Sequence, residues 1–159
     1  MGGLARKATV IKNLINDNVD PIIVDAGDLF FRTETLDPGI TLDAGMINAN
    51  IITDSFNVMG CDAFSPGSKD FAAGLDFLLS QHEKSNFPYV SCNLYGLDQE
   101  LLFQPYVIKE SKGKKIAIVG LTSTFDTTEL IVKNPINSLE KTIEEIGDSV
   151  DFILLLFNA

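Results

Sequence analysis

Histidine is nearly absent from this chain of 159 residues, where His82 is the only one. A chain so provisioned cannot build a metal centre from several of its own imidazoles. Cysteine is scarce too, with only Cys61 and Cys92 and no Cys-x-x-Cys or Cys/His spacing. Cys61 falls at the start of one expected strand and Cys92 near the end of the next. That offset along neighbouring strands is too large to bridge, so two buried, unpaired thiols are expected. Basic residues are outnumbered: 12 Lys and Arg face 22 Asp and Glu, for a formal net charge of −10. A phosphate polyanion would be repelled, which argues against nucleic acid as a partner. The densest basic stretch, Lys112-Gly113-Lys114-Lys115, reads as a hairpin turn between Tyr106-Val107-Ile108 and Ile116-Ala117-Ile118-Val119. No apolar run reaches the length of a membrane span. Met1-Gly2-Gly3 opens no secretory apolar region, and Arg6 stands where a myristoylation signal needs Ser or Thr. No repeat or low-complexity segment is present.

What is present is a chain 45% hydrophobic, enough for one substantial core and a single domain over residues 1–159. Leu4, Ala8, Ile11 and Ile15, with Leu14 beside them, predict a helix over about Leu4 to Asn16. Pro21 introduces a strand from Ile22 to Ala26, and Gly27-Asp28 opens a loop at its carboxyl end. Phe30 to Leu42 reads as loop, and Asp43 to Met59 as a helix stopped by Gly60. A strand from Asp62 to Ser65 leads through Pro66-Gly67-Ser68-Lys69 into a helix starting at Asp70 and carrying Leu75, Leu78, Leu79 and His82. In its last turn, His82 is expected to favour the helix end with its charge. A strand from Tyr89 to Leu94, the hairpin from Tyr106 to Thr122, a helix from Ser138 to Ile146 stopped by Gly147, and a strand from Phe152 to Phe157 follow. This alternation predicts an α/β fold: a mainly parallel sheet with packed helices plus an antiparallel hairpin. Ligands gather at the carboxyl ends of such strands, where Asp28, Lys69, Asn93 and Asn158 would converge, as in any such sheet. The strand after Asp151 is too apolar for an exposed edge, so a further segment or another copy of the chain is expected to cover it.

The segments Gly2-Gly3-Leu4-Ala5-Arg6-Lys7, Ile22-Ile23-Val24-Asp25-Ala26-Gly27-Asp28 and Asn57-Val58-Met59-Gly60-Cys61-Asp62-Ala63 occur in a telling order. After them come Gly74-Leu75-Asp76-Phe77, Asn86-Phe87-Pro88, Ser91-Cys92-Asn93-Leu94 and Lys115-Ile116-Ala117-Ile118-Val119-Gly120-Leu121-Thr122. None is specific alone. In this order and spacing the chain resembles the bacterial 5'-nucleotidase and UDP-sugar hydrolase branch of the calcineurin-like metallophosphoesterases. The resemblance covers the first half of the family's catalytic domain and implies half of a four-layer αββα sandwich, so residues 1–159 are expected to be a single, incomplete domain of that kind. It also implies a two-metal centre that orients a phosphate and generates a hydroxide nucleophile, the two cations clamping the attacking and leaving oxygens.

Laid onto that pattern, Asp28 matches the Gly-Asp motif whose carboxylate bridges the metals, and it is the one recognisable ligand. In Gly67-Ser68-Lys69-Asp70, Ser68 replaces the family's amide ligand and Lys69 its catalytic histidine. Asn158 falls where the family has a metal-binding histidine. The family's Asp-x-His motif would precede Gly2, and a later histidine motif would follow Ala159. A protonated ammonium has no lone pair for a metal and repels divalent cations. A degenerate site is therefore expected, closed by an ion pair of Lys69 with Asp28 or Asp70, with Asp25 and Asn93 as further pocket lining.

The expected function is that of a metallophosphoesterase-related domain without catalysis, a scaffold or binding module needing no cofactor. One alternative is a divergent phosphoesterase acting on nucleotides or other phosphomonoesters, with Mn, Zn or Mg held by Asp28, Asp70, Asn93, Asn158 and groups outside this chain. Another is a metal-independent anion-binding module that uses Lys69. The resemblance implies a periplasmic or extracellular setting, which the sequence itself leaves undetermined.

Overall fold

A computed structural model describes residues 3–158, and the Met1-Gly2 start lies outside them. Among the described residues the helices are α1 (Leu4–Asn16), α2 (Ile40–Met59), α3 (Leu75–Lys84) and α4 (Pro135–Ile146). The strands are β1 (Val24–Asp25), β2 (Ala63–Phe64), β3 (Leu94–Tyr95), β4 (Tyr106–Ser111), β5 (Lys114–Thr122), β6 (Ile131–Val132) and β7 (Phe152–Asn158). β1 and β2 pair in parallel, β4 and β5 form the hairpin, and β5 pairs in parallel with β7 from Ile116 opposite Phe152 to Thr122 opposite Asn158. Single bridges from Phe64 to Tyr89 and from Val90 to Gln104, and the bond from Cys92 N–H to Gly120 C=O, stitch these pieces into one α/β core. β3 and β6 make a separate antiparallel pair.

β5 is apolar throughout its centre because both its faces are covered. Ala117 and Val119 pack toward Ile146 and Leu139 of α4, while Ile118 meets Ala63, Val90 and Leu156 on the other side. The largest cluster lies among α1, α2, α3 and the loops. It is aromatic, with Phe64 and Tyr89 edge to face at 4.7 Å and Phe30 against Phe64 at 5.5 Å. Cys61 and Cys92 are buried and unpaired.

Several boundaries differ from the sequence expectation, each for a local reason. The first strand shrinks from Ile22–Ala26 to two residues: Pro21 offers no N–H, and Gly27 turns the chain at φ +107°. The strand over Tyr89–Leu94 is mostly extended chain, regular only at Leu94–Tyr95. Asp70 does not start a long helix. It lies inside a 3₁₀ turn, Ser68–Phe71, and α3 starts anew after Gly74 at φ +89°. α2 begins earlier, at Ile40, with Asp43 N–H bonded to Gly39 C=O. α4 begins at Pro135, capped by the Asn134 side chain accepting from Asn137 N–H. On α1 the packed stripe is narrower than expected, since Ile15 is 53% exposed. His82 packs on Tyr89 and Phe103, and burial lowers its pKa, so its contribution is a ring contact more than a charge.

Candidate functional site

Two loops meet where β1 and β2 end. After β1, Gly27 takes φ +107°, and a Cβ there would lie 2.6 Å from Gly67 N and 2.8 Å from Ser65 O. Only glycine fits, because both the backbone angle and the second loop exclude a side chain. Asp28 follows at φ +55°, a left-handed conformation tolerated by aspartate and typical of loops held for a purpose. The second loop presents Gly67 beneath two side chains: a Cβ on it would sit 2.5 Å from Asp28 Oδ1 and 2.6 Å from Asn158 Cγ. Asp28 and Asn158 therefore converge over Gly67, as the sequence places them.

Lys69 closes the crevice. Its Nζ donates to Asp28 Oδ2 at 2.5 Å, and its backbone N–H donates to Asp28 Oδ1 at 3.2 Å. The hydrogen bond and the charge of Asp28 raise the Lys69 pKa, so the ammonium is held protonated. Of the two expected ion pairs, the one to Asp28 forms. Asp70 instead is fully buried and turned inward. It accepts N–H bonds from Asp28 (2.8 Å), Gly67 (2.9 Å) and Phe30 (2.9 Å), tying the two loops together. Burial lifts its pKa to about 6, against the lowering effect of those three donors. Ser68 points away, its Oγ donating to Glu34 at 3.0 Å.

The remaining candidates are corrected by their partners. Asn93 lines no crevice: it is fully buried, its amide donating to Thr122 C=O and Lys133 C=O while its Oδ1 accepts from Thr122 N–H and Ser91 Oγ. It is a strap between chain segments. Asp25 is half-buried, bonded to Gly27 N–H and 3.6 Å from Lys7 Nζ, and burial raises its pKa. Sequence reasoning missed Thr122, whose Oγ1 holds Pro66 C=O at 2.7 Å and so fixes the Gly67 loop. It also missed Glu34 and Lys7, for which no local pattern gives a signal. Among the described residues no group of three or more His, Cys, Asp or Glu side chains is placed to share a metal ion.

Two glycine loops thus interlock at the strand ends, with an aspartate at the meeting point. The chain is 34% identical over 121 residues to a 5'-nucleotidase of Vibrio parahaemolyticus, covering 75% of this chain and 21% of that protein. It is 39% identical over 75 residues to protein UshA of Yersinia enterocolitica, covering 46% of this chain and 14% of that one. Its sequence relatives are thus 5'-nucleotidases, and its fold is that of the calcineurin-like phosphoesterases. The chain spans about a fifth or less of the length of these two curated relatives. Solved structures share its fold. The calcineurin-like phosphoesterase YfkN of Bacillus subtilis matches at TM-score 0.77 and 24% identity over 99% of this chain and 54% of its own. The 5'-nucleotidase precursor of Thermus thermophilus matches at TM-score 0.80 and 22% identity, over 99% of this chain and 31% of its own. No family model matches the chain.

Proposed function

We propose that this chain is a phosphoesterase-derived domain that keeps the family's loops but not its catalysis, acting as a scaffold or binding module. The observation that carries this reading is the Lys69 ammonium held on Asp28 at 2.5 Å. The family implies two divalent metals, and the donor set of this chain does not fit them. Asp28 is engaged by a cation, Asp70 is spent on three backbone N–H groups, and Asn158 offers a neutral amide. A metal entering here would have to displace a bound positive charge. No metal-dependent step is therefore assigned to it. Function follows the site rather than the fold.

The enzyme reading stays as the second, supported by relatives named 5'-nucleotidase. It would need Lys69 to swing away and further ligands to come from outside this chain, and its substrates would be nucleotides or other phosphomonoesters. Anion capture by Lys69 itself is disfavoured, because Asp28 already occupies the ammonium. We further propose that residues 1–159 form one domain whose apolar β7 is covered by another segment or another copy. An exported setting is proposed in keeping with relatives such as a snake venom 5'-nucleotidase.

Calorimetric titration with Mn²⁺ and Zn²⁺ tests the main reading, with Asp28→Ala and Lys69→His beside the parent. No saturable uptake by the parent is expected. Micromolar binding that disappears in Asp28→Ala would overturn the reading and send the protein to phosphatase assays.

A further inference from the structure

A second cleft shares no residue with the Asp28–Lys69 crevice. It has a volume of about 430 Å³ and lies between the start of α4 and the β3–β6 pair. Volumes of this size hold small organic ligands. Its polar wall is built by Lys133, just before α4, and by Asn137, Ser138 and Lys141 on the helix's first two turns. The Lys133 ammonium is not loose in solvent: it sits 3.5 Å from the centre of the Tyr95 ring, which fixes its position while leaving its charge unneutralised. Among the described residues neither Lys133 nor Lys141 is in an ion pair. The Asn137 side-chain amide and the Ser138 hydroxyl likewise have no hydrogen-bond partner there, the Asn137 backbone N–H alone being taken by the Asn134 cap. Two free cations facing one concavity are notable in a chain of net charge −10. The positive end of the α4 dipole adds to the same field. Leu101 and Pro105 form an apolar wall, and Glu145 stands one turn beyond Lys141.

We propose that this cleft binds a phosphomonoester, its phosphate held by Lys133 and Lys141 with Asn137 and Ser138, and its organic part lying against Leu101 and Pro105. Four donors from separate side chains suit three phosphate oxygens better than the two of a carboxylate, and ammonium groups bind phosphate as point charges. Lys133 is backed from below: its C=O accepts from the buried Asn93, so the segment carrying it is anchored to the sheet. The inference is independent of whether the Asp28 crevice is active.

The test is a ¹H–¹⁵N NMR titration of the full chain in chelator, using phenyl phosphate, inorganic phosphate and benzoate as probes. Saturable shifts are expected at Lys133, Asn137 and Ser138, with phenyl phosphate binding more tightly than inorganic phosphate and benzoate weakest. The pair Lys133→Ala and Lys141→Ala should weaken phenyl phosphate at least tenfold, about 1.4 kcal/mol. Asn137→Asp, at an exposed position where a helix start tolerates an acid, should weaken it too and serves if the double variant fails to fold. Removing two lysines elsewhere, Lys12→Ala with Lys112→Ala, should leave the affinity in place. The proposal is overturned by any of three results: no saturable shift at α4, benzoate binding as tightly as phenyl phosphate, or an equal loss in the remote lysine pair.

Discussion

At the scale of single residues, the crevice is governed by two carboxylates with opposite roles. Asp28 faces the open side and is met by a cation, whereas Asp70 is buried and satisfies backbone donors. With a folded pKa near 6 against an ordinary 3.8, Asp70 binds its proton more tightly in the folded chain than in the unfolded one. Its contribution is thus full below about pH 4 and is lost as pH rises through about 6. Urea unfolding from pH 4 to 7 should show a falling contribution, at most about 3 kcal/mol, that is missing in Asp70→Asn. At pH 4 that variant should be less stable than the parent by about 1–3 kcal/mol, since an amide nitrogen cannot accept the N–H bonds it would face, and the gap should close as pH rises. Gly27→Ala forces a side chain into φ +107° and into the Gly67 backbone. A loss of about 2–4 kcal/mol in chemical denaturation is expected, with the Asp28 and Lys69 amide resonances displaced.

At the scale of elements, β5 carries the fold. It is paired on both edges, by β4 and β7, and packed on both faces. Leu156 on β7 fills the space against Ala63, Val90 and Ile118 and is 4% exposed. Leu156→Ala should cost about 2–5 kcal/mol through lost burial and the cavity left behind, readable as a lower denaturation midpoint with an unchanged slope. The alternate positions on the same strand behave differently. Ile153, Leu155 and Phe157 share the face toward α4, yet are 41%, 40% and 46% exposed. α4 packs instead in the cluster of the neighbouring Ala117, Val119 and Leu121.

At the scale of the whole molecule, that uncovered face combines with an edge of β7 that has no strand partner among the described residues, since the strand order of its sheet is β4-β5-β7. Exposed apolar edge strands drive association when nothing blunts them. The protein studied alone should therefore sediment as concentration-dependent oligomers, and Leu155→Lys with Phe157→Lys should shift it toward monomer without lowering its denaturation midpoint. A uniform monomer at high concentration in the parent would sink this expectation. Among the described residues no helix is long and apolar enough to cross a membrane.

The sequence by itself determined the elements with strong periodicity or clear stops: α1, the β4–β5 hairpin, β7, and the helix ends at Gly60 and Gly147. It also determined the pairing of Lys69 with a nearby acid, because family order places them together and opposite charges decide the rest. Only the tertiary structure decided which acid. Asp28 and Asp70 are both near Lys69 in that order, but Asp70 is one residue further along a tight 3₁₀ turn that aims it inward at three N–H groups. In the same way nothing local marks Asn93 as a strap rather than a lining residue. Its partners at Thr122 and Lys133 lie far along the chain, and hydrogen bonds between distant segments leave no period in a sequence.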